Sequence, residues 1–192
     1  MCHFASDLEK NFSSNDEICI LNGARIVISR KNKSIGQIDL KATEILINGF
    51  TKFVKKGGKG KLILFEKGAS KDIEIAKNLI KSNGIKTSVR WLKELEISKF
   101  LKKIGEVDIV ADQLGDSFPT LVTADALAIG TPVMANMRNS YFAKYFGEII
   151  PGINVKSAED IAFNLNFYRK NKDLLKEISW KGKEFYFQNL SI

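Results

Sequence analysis

Two cysteines and a single histidine in 192 residues leave little material for metal or disulfide chemistry. Cys2 and Cys19 fall in no metal-ligand spacing and His3 does not complete a set with them, so a zinc site is excluded and both thiols are expected to be reduced. His3 lies in an N-terminal stretch expected to be loose, where a solvated imidazole is the ordinary outcome. Long apolar runs are as scarce: none approaches the ~20 residues that a membrane-spanning helix needs. "MCHFASDLEKNFSSND" has neither the basic start nor the apolar stretch of a secretory signal, so a cytoplasmic chain is expected. No internal repeat is present.

What is there describes an ordinary folded chain. At 44% hydrophobic and 27% charged residues, this length fills one core well and falls short of two. Thirty Lys and Arg against 22 Asp and Glu give a net charge of +8, which favours an anionic partner such as phosphate, nucleic acid or an acidic membrane surface. The densest basic run, "KKGGKGK" at residues 55–61, reads as a solvated turn. Its three glycines break any helix, and it lacks the interleaved aromatics on which bases stack, so nucleic acid is not an expected partner.

Short apolar runs alternate with amphipathic segments. Strands are predicted at "EICIL", "GKLILFE", "TSVRWL", "VDIVAD" and "TPVMAN". Between them, "ATEILINGFTKFVKK" places Ile45, Leu46, Phe50, Phe53 and Val54 on one helical stripe, and "SKDIEIAKNLIKSNG" does the same with Ile73, Ala76, Leu79 and Ile80 before Asn83 and Gly84 stop it. "ISKFLKKIG" repeats the pattern. Alternating strands and helices predict an α/β fold, a single Rossmann-like domain with a parallel sheet flanked by helices. Two helices close the chain. The first is capped by Ser157 with Glu159 and Asp160 in its opening turn, and the second runs from Lys172 to about Asn189. Residues 1–16 read as an N-terminal extension and 17–192 as the domain.

Ligands of open parallel sheets bind beyond the carboxyl ends of the strands, where helix N-termini point outward. "VDIVAD" delivers the loop "QLGDSF" to that edge, and the next helix is expected over residues 119–129, with Pro119 in its first turn and Gly130 and Pro132 closing it. Asp116 then precedes a helix N-terminus, where a capping role is the ordinary reading. Asp125 is different, because its neighbours three and four residues away are Leu121, Val122, Ala128 and Ile129. A carboxylate on that apolar face needs a partner. A structural salt bridge and the hydroxyls of a polar ligand are the two candidates.

These residues carry a resemblance. "LGDSFPTLVTADALAIGTPVMAN" resembles the donor-site segment of retaining glycosyltransferase family 4 enzymes of GT-B fold, whose pattern is G-E-S-F-G followed by E-A-M-A-x-G-T-P-V. "DLKATEILINGFTKF" is similar to the family's D-x-K-G-x-D segment, "KLILFEKG" to its next strand, and "VRWLKEL" and "DIVADQLG" keep the order and spacing. Together they cover residues 18–190. The resemblance implies that Asp116 contacts the transferred sugar and Asp125 the ribose hydroxyls, with Ser117 and Phe118 completing the donor segment. Both acids are Asp where the family has Glu, and they stand nine residues apart rather than eight, which places Ser117 at the strict spacing.

The family clamps the donor diphosphate with an Arg after its first strand and a Lys in the next segment. Lys41 matches that Lys, with Ala42 in place of the usual Gly; Arg25 matches the Arg, and Arg30 is its rival. Gly23 is open to two readings, a close approach of the backbone to the phosphates and a simple turn, and Glu66 and Lys67 end their strand on the edge from which base or sugar is within reach. The resemblance further implies that no metal or other cofactor is obligatory and that the donor is a UDP- or GDP-linked sugar.

A GT-B enzyme has two Rossmann-like domains, and this sequence resembles only the C-terminal, donor-binding one; the residues before Asp16 are too few to form the other. The expected activity is a retaining hexosyltransferase, incomplete alone and requiring an acceptor-domain polypeptide. The alternative is a non-catalytic nucleotide-binding module or an inactive fragment. The missing half implies that some of Trp180, Phe185, Tyr186 and Phe187 are left without cover, hence partner binding or self-association. The +8 charge permits peripheral contact with the inner membrane face.

Overall fold

The computed structural model describes residues 12, 16–28, 42–115, 120–137 and 139–191. Cys2, His3, Arg30, Lys41 and the run Asp116, Ser117, Phe118 and Pro119 lie outside them. Each of the five apolar runs forms a strand: β1 (Ile18–Asn22), β2 (Gly60–Phe65), β3 (Val89–Leu92), β4 (Ile109–Ala111) and β5 (Val133–Ala135). They read as near-continuous apolar stretches because helices cover both faces of the sheet, leaving the inner strands no polar side. A sixth strand, β6 (Ile153–Asn154), is two residues long and too short to carry a pattern.

All pairings are parallel, in the order β3-β2-β1-β4-β5-β6. β1 lies between β2 and β4, with Ile20 opposite both Leu62 and Ile109. Successive strands move outward in one direction up to β3 and in the other from β4, so a crevice opens between the carboxyl ends of β1 and β4.

Seven α-helices are present among the described residues: α1 (Thr43–Lys55), α2 (Ser70–Ser82), α3 (Ile97–Glu106), α4 (Leu121–Ile129), α5 (Asn139–Phe146), α6 (Ala158–Lys170) and α7 (Lys172–Asn189). One face of the sheet packs on Leu46, Phe50 and Phe53 of α1, Ala76 and Ile80 of α2, and Ile161 and Leu165 of α6. The other packs on Leu101 and Ile104 of α3, Leu127 and Ile129 of α4, and Phe185 and Tyr186 of α7. Ser157 caps α6 through a reciprocal box, its hydroxyl accepting from the Asp160 amide at 3.1 Å while the Asp160 carboxylate accepts from the Ser157 amide at 3.0 Å. At the start of α7, Lys172 pairs with buried Asp108 at 2.8 Å, and the same carboxylate accepts from the Cys19 amide at 2.7 Å.

Helices α1 and α6 approach closely because residue 49 is glycine. A Cβ there would stand 2.6 Å from Ile161 Cβ and 2.9 Å from the Ala158 carbonyl oxygen. Both obstacles are at or near backbone and cannot swing away. Gly49→Ala is therefore expected to destabilise the chain by about 1–3 kcal/mol despite its better helix propensity. Urea unfolding monitored by circular dichroism measures it, and an unchanged midpoint would refute the close approach.

Three elements were not anticipated: β6, α5 and a single 3-10 turn (Lys86–Ser88), which takes up the first two residues of the expected strand "TSVRWL". Helix α5 alters the expected uncovered patch: Phe146 meets Phe185 edge-on at 5.5 Å between ring centres, and Phe185 and Tyr186 are buried. Trp180 and Phe187 remain 64% and 46% exposed. None of the described helices is long and apolar enough to cross a membrane.

Candidate functional site

The crevice begins at Gly23, directly after β1. Its amide donates to the Ala111 carbonyl at 2.9 Å, prolonging the β1–β4 pairing, and a Cβ on it would stand 2.3 Å from Val122 Cγ1. The first turn of α4 therefore sits directly on the loop backbone, and residue 23 has to be without a side chain. This is a steric demand, since Gly23 is not in the left-handed region.

Helix α4 is held there by Asp112, a buried carboxylate at the end of β4 that sequence reasoning missed. One oxygen accepts from the Thr120 hydroxyl at 2.7 Å, the Thr123 hydroxyl at 2.8 Å and the Thr120 amide at 3.1 Å; the other accepts from the Gln113 amide at 3.0 Å. Thr120 in turn caps α4 by accepting from the Val122 amide at 3.2 Å, so the helix opens at Leu121, two positions beyond the expected opening Pro119. The signal was present as an Asp at a strand end followed by threonines 8 and 11 residues on, at a helix start. Gln113 has φ of 29°, a left-handed conformation unfavourable for a side chain bearing a Cβ, of the kind that persists where surroundings impose it. Its carbonyl accepts from the Asn136 amide at 3.1 Å, and the Asn136 side chain donates to the Gly115 carbonyl at 3.3 Å.

Around this frame lies a pocket of about 290 Å³, at the small end of the range for ligand sites. It is lined by Gly23 and Ala24 after β1, Phe65 and Lys67 at the end of β2, Glu94 and Leu95 after β3, Ile97 and Phe100 of α3, and Leu121, Val122 and Asp125 of α4. Phe65 and Phe100 lie with ring centres 5.7 Å apart. Ile97 and Leu121 are 59% and 82% exposed, an apolar rim of the sort that marks a contact surface.

Asp125 is half-buried in the pocket wall, and burial pushes its carboxyl above the usual Asp range. Among the described residues no cation pairs with it and no donor hydrogen-bonds to it. Of the two candidates left open by the sequence, the salt bridge has no partner among the described residues. Lys67 also lines the pocket and is paired with Glu94. Glu66 is turned elsewhere: Lys77 of α2 binds it at 2.5 Å, holding its carboxyl below the usual Glu range, and that ammonium lies 5.3 Å from the centre of the Trp91 ring. Arg25 is exposed and is not among the residues that line the pocket. The structure thus brings Gly23, Lys67 and Asp125 together, leaves Arg25 and Glu66 outside the pocket, and adds Glu94, Leu95, Phe100 and Leu121.

The arrangement is one for binding. It offers an apolar floor, an acceptor that meets no donor among the described residues, and a cation–anion pair. Among the described residues no group of three or more His, Cys, Asp or Glu is arranged to hold a metal ion.

No family model matches the sequence, and no curated protein matches it. Solved structures do. Staphylococcus aureus TarM, in a complex containing UDP, matches at 17% identity and a TM-score of 0.70 over 95% of this chain and 34% of its own. Anabaena HepE with UDP and glucose matches at 15% identity and 0.71, over 92% of this chain and 45% of its own. The C-terminal domain of LpcC, a group 1 glycosyl transferase family protein from Francisella tularensis, matches at 17% identity and 0.65, over 96% of this chain and 89% of that domain. The chain spans about a third of TarM, under half of HepE and nearly all of the isolated LpcC domain. At these identities the likeness is one of fold, and the fold is that of the C-terminal domain of GT-B glycosyltransferases.

Proposed function

We propose that this chain is the donor-binding domain of a glycosyltransferase, which holds a nucleoside diphosphate sugar for transfer, with retention, to an acceptor bound by a second domain in the same or another polypeptide. The observation that carries the reading is Asp125, an acid without a described partner in the wall of a pocket at the sheet's switch point. An ionised carboxylate offers two acceptor oxygens and can take both hydroxyls of a ribose. In half-buried surroundings such bonds are stronger than in water.

In this reading the base lies on the apolar floor of Phe65, Leu95 and Phe100, beneath Ile97 and Leu121. The diphosphate and sugar extend past Gly23. Lys41, with Arg25 or Arg30, takes the diphosphate, and Asp116, beside Ser117 and Phe118, takes the sugar; these assignments rest on the resemblance of "DLKATE", "ICILNGAR" and "GDSF". Cations already in place stabilise the charge that grows on a departing diphosphate, so no metal is required in principle. A net charge of +8 suits a place at the inner face of a membrane, where anionic lipids attract basic proteins.

One observation favours a second reading, a nucleotide-binding module without turnover. Lys67 is the only cation lining the pocket among the described residues, and Glu94 already pairs with it.

Equilibrium binding of UDP- and GDP-linked sugars to the chain and to Asp125→Ala, followed by transfer from labelled donors with an acceptor-type polypeptide, separates the readings. Binding that disappears in Asp125→Ala, together with transfer, is the expected result. Binding with no transfer favours the module, and no donor binding by the unmodified chain rejects both.

A further inference from the structure

A base seated on the apolar floor meets one pair of charged side chains whose placement follows from sheet register. Phe65 of β2 is paired with Leu92 of β3, and the Glu66 amide donates to the Leu92 carbonyl at 2.8 Å. Two residues further on each strand, Lys67 and Glu94 come side by side and form an ion pair at the pocket. The Lys67 carbonyl accepts from the Ile26 amide at 2.6 Å, which fixes this strand end against the loop after β1. The two side chains are 52% and 60% exposed. An exposed pair of this kind contributes little to stability, so opening it for a ligand costs little.

Together they offer one donor group beside two acceptor oxygens. The ammonium is a donor only, and the carboxylate is two adjacent acceptors only. The complementary edge carries one acceptor followed by two parallel donors. Among the common bases guanine alone has it, in O6, N1–H and N2–H₂. Uracil offers O4 and N3–H, but its O2 then faces the second carboxylate oxygen, acceptor against acceptor. Adenine and cytosine have a single donor group on this edge and leave the same oxygen without a partner. A site built to hydrogen-bond an edge discriminates strongly against a ligand that leaves its polar groups unpaired.

We propose that Lys67 and Glu94 read the base of the donor and select a guanine nucleotide. The inference rests on the donor-site reading above and goes beyond it, since neither the resemblance nor the fold distinguishes a guanine from a uracil donor. Glu94 supplies the selectivity through its two parallel bonds, and Lys67 orients the carboxylate and meets O6.

The test is calorimetric titration of the full 192-residue chain with GDP, UDP, ADP and CDP, repeated on Glu94→Gln and Lys67→Met. GDP is expected to bind at least about tenfold more tightly than the other three. Glu94→Gln should weaken GDP by on the order of tenfold to a hundredfold, the effect of losing bonds to a charged acceptor, while changing UDP by less than about threefold. Lys67→Met should weaken GDP more than ADP. Both side chains are exposed, and thermal melts should show that both variants fold. Equal affinity for GDP and UDP, or an equal loss of both in Glu94→Gln, overturns the base assignment and leaves the donor site standing. Absence of binding by all four nucleotides overturns the donor site as well.

Discussion

Asp125→Asn is expected to stabilise the free chain and to weaken nucleotide binding on the order of a hundredfold. Burial raises the carboxyl's pKa, and no described residue compensates the charge. Between the unfolded pKa of about 3.9 and the raised folded value, the folded chain binds more protons than the unfolded one. Stability contributed by this group therefore falls as pH rises through that window, and the full penalty is present above the raised pKa. Asparagine removes it. The gain should be about 0.5–2 kcal/mol, as for other substitutions that relieve a functional site, or roughly 2–6 °C in Tm for a chain of this length. The gain should vanish in melts below the unfolded pKa.

Binding should respond in the opposite sense. The two ribose hydroxyls donate to the ionised form, so nucleotide affinity should decline as pH falls through the raised pKa, beginning at a higher pH than an exposed Asp would give. An asparagine keeps one acceptor and turns a donor toward the second hydroxyl, and bonds to a charged partner are worth about 1.5–3 kcal/mol each. Thermal melts and calorimetry on the same preparation measure both quantities. A variant that melts lower and still binds would show Asp125 to be structural.

Asp112→Ala carries the largest expected cost to stability. It strips an acceptor from the Thr120 amide, the Thr120 and Thr123 hydroxyls and the Gln113 amide, in a site where Asp112 is 1% exposed. Leaving several buried donors unmet should cost about 3–5 kcal/mol. At about 2–4 °C per kcal/mol, Tm should fall by roughly 10 °C or more. Asp112→Asn should fall between the two, because it keeps one acceptor and aims a donor at donors. Hydrogen exchange should accelerate first at the opening turn of α4. A loss below about 1 kcal/mol would mean that packing on Gly23, rather than the carboxylate, holds the helix.

The contrast between Asp112 and Asp125 shows where sequence reading stops. Asp125 was conspicuous because its helical neighbours are apolar, a local property. Asp112 was only the last residue of the predicted strand "VDIVAD", since its importance comes from threonines that the folded chain brings to it. The unpredicted α5 has the same origin. "NSYFAKYF" is only eight residues long, and its role, covering Phe185, depends on a contact across 39 positions of the chain. Glu66 and Lys67, equivalent as neighbours at a strand end, separate once α2 places Lys77 beside the first and β3 places Glu94 beside the second.

Local periodicity by itself determined the five longer strands, the stripes of α1 to α3, the cap of α6 and the α/β class, because burial on one face or two leaves a repeat that the chain must spell out. Tertiary structure alone decided the order β3-β2-β1-β4-β5-β6, the approach of α4 to Gly23, and the meeting of Lys67 with Glu94. Those depend on strand register and helix docking, in which residues far apart in the chain lower one another's free energy, and such pairings leave no period in the sequence to be read.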